Sequence, residues 1–405
     1  MKKQPTGSIF GASLLITGSC VGAGMLGLPI LTGFAGLIPS MFMFILAWGL
    51  MTATALLLVE TGSWFKHDSN FATMIGSLLG DFAKSLCYIF YLSLFYSLLV
   101  AYISDSGIHA SSLLEAIYQG NVKPWVGSTF FVLVFGWIVY LGTKPVDLLN
   151  RALMVIKVAA FFAFIVFSVH LIESKNLTYT NLYYTFFPLP ILVISFGFHN
   201  MIPTITNYLS GDIARVKRSI FLGSLMTLTI YLLWLFITLG SIPVSGDISV
   251  KSSYFSGFDA AKTMELIYPG LKVAASTLAF SAILTSFLAQ SISVAHFLSD
   301  GFKISSSRRT PIGIILLTFI PPLIIAQTYP SIFFKALNFG GIIAVILFGI
   351  FPVFMVYKGR YLENRWSVYQ LFGGKWTLLV ITFFSLFIIA SQILHHMGIE
   401  IFPLP

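Results

Sequence analysis

The sequence predicts an all-α integral membrane protein with eleven transmembrane helices. Of its 405 residues, 57% are hydrophobic and only 9% are charged, whereas roughly 25% of the residues of a soluble protein carry a charge. Each membrane span needs roughly 20 apolar residues, so eleven spans account for nearly all the apolar residues of the chain. The composition therefore excludes a soluble globular enzyme and leaves little apolar sequence for a separate soluble domain.

Eleven apolar segments follow one another along the chain and are separated mostly by short loops. Segments 1 to 11 cover residues 8–34, 37–60, 82–112, 126–142, 151–172, 188–209, 218–242, 269–299, 312–328, 332–357 and 376–397. No linker or low-complexity tract interrupts them. We therefore expect residues 1–405 to form a single transmembrane domain.

The basic residues predict the orientation in the membrane. If the N-terminus lies inside, 16 of the 23 lysines and arginines fall on the cytoplasmic side, six fall outside, and Lys157 lies within segment 5. Cytoplasmic loops are enriched in Lys and Arg, so we expect a cytoplasmic N-terminus and a periplasmic C-terminus. The net charge of +9 is spread over separate loops, which argues against nucleic acid as a partner.

Segment 1 contains residues that ordinary transmembrane helices avoid. Gly18, Gly22, Gly24, Gly27 and Pro29 follow one another closely, and in a helix interior each Gly costs about 1 kcal/mol and the Pro about 3 kcal/mol. Such breaks occur where unwound backbone lines a cavity or binds a ligand. The alternative is close helix packing, because Gly18-x-x-x-Gly22 also fits the small-residue packing motif.

Segment 6 has a break of its own, formed by Gly197, His199, Asn200 and Pro203. Segment 1 opens the first five segments and segment 6 opens the next five. Matched breaks indicate inverted repeats around a substrate site at the membrane midplane. We expect these repeats at about 8–172 and 188–357, with an extra helix at about 376–397. The N–H and carbonyl ends of broken helices suit the two charges of an amino acid.

The breaks define the candidate substrate contacts, to which one aromatic residue of segment 3 is added. These candidates are Ser19, Val21, Gly22, Ala23, Gly24, Tyr91, Phe196, Gly197, Phe198, His199 and Asn200. Phe196 and Phe198 could stack on an aromatic substrate. His199 is either a contact for a proton or the substrate, or a structural residue bonded to freed carbonyls. For Tyr91, aromatic packing is the alternative.

Three of the ionisable residues within the apolar segments are candidates for a functional role, namely Lys157, Asp105 and His109. Lys157 is expensive to bury in a membrane, so we expect it to face the interior of the helix bundle. The alternative is a lysine that extends to the cytoplasmic surface. Asp105 and His109 are four residues apart, which allows them to meet on one helix face. They could form a proton pathway from the outside or simply cap segment 3.

These residues resemble the bacterial hydroxy and aromatic amino acid permeases, most closely their tyrosine/tryptophan-specific transporters. The similar stretches are Val21-Gly22-Ala23-Gly24-Met25-Leu26-Gly27-Leu28-Pro29, Ser195-Phe196-Gly197-Phe198-His199 with Pro203, Tyr102-Ile103-Ser104, and Lys157. The resemblance implies a leucine-transporter-like fold of the amino acid–polyamine–organocation superfamily. It also implies import of tyrosine, tryptophan or both by proton symport with alternating access. Asp105 and His109 depart from the small uncharged residues expected near there.

In proton-coupled relatives, a lysine of segment 5 takes the place of a sodium ion beside segment 1. The resemblance therefore implies that Lys157 contacts carbonyl groups near residues 18–21 and side chains of segment 8 such as Ser281 or Thr285. Its protonation would bias the equilibrium between inward-facing and outward-facing states.

Other functional classes lack their expected motifs. The sequence contains no P-loop, no H-E-x-x-H motif and no cluster of Cys and His ligands, so we expect no enzyme activity, no cofactor and no metal. A sodium-coupled transporter, or one for a broader range of neutral amino acids, is the alternative. The expected location is the bacterial inner membrane, and the expected partners are an aromatic amino acid, protons and lipid. The oligomeric state is left open, and a monomer is compatible with the sequence.

Overall fold

The computed structural model describes residues 7–65, 71–302, 309–329 and 331–397. Within these ranges the regular secondary structure is helical, and the strand-like pairing found there is one isolated antiparallel bridge between Gly36 and Thr180. The predicted all-α class is therefore confirmed. Five basic residues counted for the orientation lie outside the described ranges, namely Lys2, Lys3, Lys66, Lys303 and Arg308.

Eight of the predicted segments form long uninterrupted helices. They are Leu37–Gly62 for segment 2, Asp81–Tyr118 for segment 3, Pro124–Tyr140 for segment 4, Thr143–Ser168 for segment 5, Ile213–Ser241 for segment 7, Lys272–Gly301 for segment 8, Ile312–Thr328 for segment 9 and Gly374–His396 for segment 11.

The remaining three segments are interrupted, as predicted for segments 1 and 6. Segment 1 consists of helix 1a (Ile9–Cys20) and helix 1b (Ala23–Thr32), which are bent by 60° relative to each other. Segment 6 consists of helix 6a (Leu189–Ser195), a 3₁₀ turn (His199–Met201) and helix 6b (Ile202–Tyr208). Segment 10 was expected to be continuous, but it alternates α-helix and π-helix over Phe333–Ala344, Val345–Ile350, Phe351–Tyr357 and Lys358–Leu362.

All eleven predicted segments therefore coincide with helices, although not all of them are equally long. Among the described residues, eight helices are long and apolar enough to cross a membrane, and the bent pair of segment 1 makes a ninth. Segments 4 and 9 form apolar helices of 17 residues each, which is about the shortest length that spans a bilayer. The exact number of spans, eleven, stays a prediction.

Short helices connect some of the spans. Phe71–Leu79 follows segment 2, Ser174–Thr178 lies between segments 5 and 6, and Val250–Ser256 and Ala260–Ile267 lie between segments 7 and 8. We call the last two the loop helices. Both loop helices pack against helix 1b. The connection between segments 7 and 8 therefore covers one side of the broken segment 1.

Both broken segments pack against several other helices of the bundle. Helix 1a packs against segment 7, and helix 1b packs against helix 6a and segment 8. Segment 10 approaches helix 6a so closely that a Cβ atom on Gly341 would lie 2.2 Å from the Pro190 carbonyl oxygen. Only glycine permits this contact, which leaves the backbones of segments 10 and 6a in direct contact.

Large apolar side chains cover the outside of several segments. Segment 5 exposes Val155, Val158 and Phe162, and segment 11 exposes Leu379 and Phe383. A soluble protein rarely exposes contiguous apolar surface of this kind. These outer faces are therefore suited to contact with lipid, while Glu60, Asp105 and Lys157 are buried inside the bundle.

Candidate functional site

The break in segment 1 is held by backbone hydrogen bonds on one side and by segment 8 on the other. Helix 1a ends at Cys20, and the Val21 N–H still donates to the Thr17 carbonyl at 2.9 Å. Gly22 is extended (φ −136°, ψ −157°), and helix 1b begins at Ala23. The Ala23 N–H donates to the Ser286 hydroxyl at 3.0 Å. Segment 8 thus satisfies one of the N–H groups that a helix start leaves unpaired.

Segment 8 approaches Gly22 closely. A Cβ atom at this position would lie 2.3 Å from Ser286 Oγ and 3.6 Å from Ser286 Cβ. The hydroxyl that accepts from Ala23 therefore occupies the space of a side chain at position 22. Gly22 leaves room for the Ser286 hydroxyl, and this hydroxyl accepts the hydrogen bond from the first residue of helix 1b.

Lys157 reaches the same break from segment 5. Its Nζ atom donates to the Val21 carbonyl at 2.7 Å and to Thr285 Oγ1 at 3.4 Å. The residue is only 4% exposed, which is not the geometry of a lysine that extends to the membrane surface. Ser281, the other expected partner, instead donates its hydroxyl to the Thr277 carbonyl at 2.7 Å. The ammonium group therefore joins segments 1, 5 and 8 at one point.

The aromatic residues of the segment 6 break are fully buried. Phe196 packs against Tyr231 and Phe44, with ring centroids 5.2 Å and 6.5 Å away. Phe198 lies against the His199 ring. Gly197 separates the two and continues the last turn by donating to the Ile194 carbonyl at 3.0 Å. Phe196 and Phe198 are therefore part of the packed interior in this structure.

His199 contacts segment 2 and segment 10. Its Nε2 atom lies 2.9 Å from Thr54 Oγ1, and its ring stacks on Phe348 with centroids 4.8 Å apart and planes 13° apart. Its Nδ1 atom is buried and has no hydrogen-bond partner in the described structure. The polar partner of His199 is thus the hydroxyl of Thr54. One of the two interpretations of the sequence had instead expected a carbonyl freed by the break.

Tyr91 joins the same aromatic cluster. Its ring lies 6.2 Å from that of Phe348, 5.5 Å from Phe95 and 5.9 Å from Phe71. Because Phe348 also stacks on His199, one ring links segment 3 to the break in segment 6. The structure therefore brings Tyr91 and His199 together through a residue of segment 10 that the sequence did not single out.

Two of the candidates lie away from this buried centre. Ser19 is exposed and donates its hydroxyl to the Ile16 carbonyl of its own helix at 2.8 Å. Asn200 is exposed as well, although its neighbour His199 is buried. Gly24, in contrast, faces the other break, since a Cβ atom there would lie 3.6 Å from Ser195 Oγ. The two breaks are therefore adjacent, with Ser19 and Asn200 on their outer side.

Segment 7 supplies two donors that the sequence analysis missed. The Tyr231 hydroxyl lies 2.7 Å from the Cys20 carbonyl and 2.9 Å from the Ser195 carbonyl, which are the last residues of helices 1a and 6a. The last carbonyls of a helix lack partners within it. Tyr231 bridges both ends, so it couples the two breaks directly. With 17 tyrosines in the chain, no local signal marks this one.

Trp234, one turn further along segment 7, replaces a backbone hydrogen bond that a proline removes from helix 1b. Pro29 has no N–H group, so it cannot bond to the carbonyl four residues before it, that of Met25. The Trp234 Nε1–H donates to this carbonyl at 3.0 Å. Its indole is held by the rings of Phe161 and Phe164. Segment 7 therefore stabilises helix 1b as well as helix 1a.

A buried ion pair lies at one end of the bundle. Arg360 Nε donates to Glu60 Oε1 at 2.5 Å, and its Nη2 atom bonds Glu60 Oε2. Glu60 also accepts from the Leu371 N–H at 3.1 Å, and it is fully buried. The pair ties the end of segment 2 to the end of segment 10. Glu60 is the single charged residue of segment 2. An isolated charge in an apolar segment indicates a buried partner, but the sequence analysis did not consider it.

The bundle contains a small cavity beside helix 6b and a wider groove elsewhere. The cavity, of about 120 Å³, lies between segment 2 and helix 6b, and its lining includes Leu58, Ile202 and Thr206. The groove, of about 940 Å³, lies between segments 3 and 10, and its lining includes Ser97 and Phe339.

Comparison with known proteins agrees with this architecture. The sequence profile of the tryptophan/tyrosine permease family matches residues 5–392. A tryptophan-specific transport protein of Haemophilus influenzae is 29% identical, with 98% of each chain covered. The tyrosine-specific transport system 1 of the same organism is also 29% identical, with 92% of this chain and 93% of the relative covered. A low affinity tryptophan permease of Escherichia coli O157:H7 is 28% identical, with 94% of each covered.

The fold is also found in a solved structure. The crystal structure of MhsT in complex with L-phenylalanine matches with a TM-score of 0.63 and 15% sequence identity, covering 96% of this chain and 99% of MhsT. This similarity confirms the expected leucine-transporter-like fold. The expectation that the chain is not an enzyme is confirmed by the family and by the relatives, which are permeases and transport proteins. The chain belongs to the tryptophan/tyrosine permease family.

Proposed function

We propose that this protein is a secondary active transporter that imports tyrosine, tryptophan or both by proton symport with alternating access. The observation that carries the proposal is the position of Lys157, whose ammonium group lies 2.7 Å from the Val21 carbonyl at the break in segment 1. The names of the relatives support aromatic amino acids as the substrate class.

The proposed substrate site lies at the two breaks. Its backbone groups come from Val21, Gly22, Ala23, Gly24 and Gly197, and its side chains from Phe196, Phe198, His199 and Tyr91. The substrate carboxylate would bind near the start of helix 1b, where N–H groups lack partners within the helix and the helix dipole favours an anion. The free Nδ1 atom of His199 offers a polar contact beside the aromatic cluster. Ser19 and Asn200 would take part only if the breaks rearrange.

Lys157 is the proposed coupling residue. When charged, it makes a charge-assisted hydrogen bond to Val21, which is stronger than a neutral one. Loss of its proton weakens this bond and frees helices 1a and 1b to change their mutual angle. A proton thereby acts as a ligand with different affinity for the two states of the transporter, which is sufficient to shift their populations. Thr285 is the second partner of the ammonium group, and Ser281 lies one turn away.

Sodium coupling is the competing mechanism, and the same contact argues against it. A sodium ion between segments 1 and 8 would use the Val21 carbonyl and the Thr285 hydroxyl as ligands. Both groups already contact the Lys157 ammonium. Two cations cannot share this space without strong repulsion.

The test is uptake of labelled tyrosine and tryptophan by purified protein in liposomes. We expect uptake to follow an imposed proton gradient and to ignore a sodium gradient, with unlabelled leucine competing poorly. Uptake driven by sodium, or uptake that ignores both gradients, would overturn the mechanism. Equal competition by leucine would overturn the aromatic specificity.

We further propose that the inverted repeats comprise about 8–172 and 188–357, followed by the extra helix at about 376–397. The proposed location is the bacterial inner membrane, with the N-terminus in the cytoplasm and the C-terminus in the periplasm. A membrane-impermeant thiol reagent tests the orientation. It should label Ser245→Cys in intact spheroplasts and Asp300→Cys only after permeabilisation. The native Cys20 and Cys87 are buried and provide the background control.

A further inference from the structure

Three ionisable side chains meet at the end of segment 3 that faces the loop helices. They are Asp105 and His109 of segment 3 and Asp259, which precedes the loop helix Ala260–Ile267. Asp259 is fully buried, Asp105 is 1% exposed and His109 is 8% exposed. The three residues can each direct one ligand atom into a common space, with all three atoms within 4.8 Å of one another. The cluster is separate from the breaks and from Lys157.

The contacts of the cluster leave one carboxylate oxygen without a partner in the described structure. Asp259 Oδ1 accepts from the Lys262 N–H at 2.6 Å, while Asp259 Oδ2 lies 3.4 Å from His109 Nε2. Asp105 Oδ1 lies 4.0 Å from the same nitrogen, and Asp105 Oδ2 is buried with no hydrogen-bond partner in the described structure. A buried carboxylate oxygen without a partner is costly, and a cation bound at this oxygen would offset that cost.

The neighbouring lysine does not supply that charge. Lys262 Nζ lies 3.0 Å from Glu265 Oε1 and is paired with it. Glu265 in turn accepts from the Ser276 hydroxyl at 2.9 Å. Two carboxyl groups therefore face one imidazole, and no lysine contacts them through its ammonium group in the described structure.

We propose that Asp105, His109 and Asp259 form a binding site for a divalent transition-metal cation of the zinc class. Zinc binds His nitrogen and carboxylate oxygen at about 2.0–2.2 Å, which places tetrahedral ligand atoms about 3.3 Å apart. The contact between His109 Nε2 and Asp259 Oδ2, at 3.4 Å, already has this separation, whereas Asp105 Oδ1, at 4.0 Å from the same nitrogen, must move closer. Magnesium and calcium prefer sites made of oxygen ligands alone, so the imidazole selects zinc. A water molecule would complete the four ligands.

The bound ion would join segment 3 to the loop helices, which pack against helix 1b. In the proposed orientation this end of the bundle faces the periplasm. The metal would therefore stabilise the arrangement in which the loop helices pack against helix 1b. This effect would not depend on which ion drives transport.

The test is a zinc titration of the full-length protein after removal of the purification tag and of bound metal with a chelator. A competing chromophoric chelator reports the affinity. We expect one Zn²⁺ per chain, and at least about tenfold weaker binding in Asp105→Asn and His109→Ala. His170→Ala, which removes an exposed histidine at the end of segment 5, is the matched control and should bind zinc as the wild type does.

Asp105→Asn is the safer of the two variants, because it removes no hydrogen bond seen in the described structure. At the same zinc concentration, zinc should raise the melting temperature of the wild-type protein and of His170→Ala more than that of Asp105→Asn, since stabilisation by a ligand grows with its concentration relative to Kd. Absence of saturable binding of one ion per chain would overturn the proposal. So would equal zinc affinity in the wild type, Asp105→Asn and His109→Ala.

Discussion

The hydroxyl of Tyr231 lies 2.9 Å from the carbonyl of Ser195, the last residue of helix 6a. The same hydroxyl also contacts the last residue of helix 1a, so one side chain of segment 7 serves both broken segments. A hydroxyl has a single proton to donate, and the two carbonyls must share it. Any motion that separates the breaks must therefore leave one carbonyl without this donor. Tyr231 is placed to couple the movements of helices 1a and 6a.

Replacement of Tyr231 by Phe should show how much the hydroxyl contributes to transport and stability apart from the packing of the ring. Tyr231→Phe keeps the contacts with Phe44 and Phe196 and removes only the hydroxyl. Hydrogen bonds of this kind inside membrane proteins contribute about 0.6–1.7 kcal/mol, so we expect a modest loss of thermal stability and a larger loss of transport. The measurements are the melting temperature in detergent and the initial rate of tyrosine uptake.

Tyr88→Phe is the control for this prediction, because Tyr88 is exposed and its ring contacts Phe297. It should change neither stability nor uptake. Wild-type uptake by Tyr231→Phe would mean that the bridge between the two breaks has no part in transport.

Lys157→Gln should uncouple transport from the proton gradient. Glutamine can still donate a hydrogen bond toward Val21, but it carries no charge and cannot release a proton. We expect uptake driven by a pH gradient to be lost, while exchange of labelled for unlabelled substrate at equal pH on both sides continues. Lys175→Gln removes a surface lysine paired with Glu173 and should leave both activities intact. If Lys157→Gln still accumulates substrate in response to pH, the coupling role is wrong.

Gly22→Ala should block the start of helix 1b through a clash with Ser286 Oγ. The added Cβ would lie 2.3 Å from this oxygen but 3.6 Å from Ser286 Cβ. We therefore expect Gly22→Ala to lose most of its uptake, and Gly22→Ala combined with Ser286→Ala to recover part of it. Recovery stays partial because the double variant lacks the acceptor for the Ala23 N–H.

The matched control is Gly49→Ala in segment 2, where a Cβ atom would meet nothing within 4 Å. This variant should transport normally and gain slightly in stability, because alanine favours helix over glycine. If Gly22→Ala is as active as Gly49→Ala, the close approach of segment 8 does not constrain the break. If the double variant takes up no more substrate than Gly22→Ala alone, the clash with Ser286 is not the cause of the lost uptake.

Glu60→Gln should destabilise the protein more than any exposed charge substitution. Breaking a buried ion pair by removal of one partner costs about 3–5 kcal/mol, since the other charge stays buried without compensation. Here the orphaned group is Arg360, whose guanidinium otherwise contacts both carboxylate oxygens. Thermal unfolding in detergent measures the effect. Glu173→Gln, which removes an exposed partner of Lys175, should leave the melting temperature close to wild type, and an equal effect of both variants would contradict the prediction.

The breaks were predictable because their causes are local. Glycine and proline disfavour helix wherever they stand, so the composition around Gly22 and around Gly197 indicates unwinding without any knowledge of the neighbours. The burial of Lys157 was predictable for a related reason, since a charge within an apolar segment must avoid lipid. The family resemblance added the expected partner, and Lys157 contacts the carbonyl of Val21.

The distant partners of the buried polar groups could not be predicted from the sequence. The donor for the Met25 carbonyl is Trp234, 209 positions away, and the partner of Glu60 is Arg360, 300 positions away. Asp259 joins His109 across 150 positions. Propensity and periodicity describe a residue and its nearest turns, whereas these partners are chosen by helix packing. The sequence alone determined that segments 1 and 6 are broken, whereas only the tertiary structure decided which distant side chains bond to the backbone at those breaks. The reason is that unpaired polar groups in a membrane interior take their partners from whichever segment packs beside them.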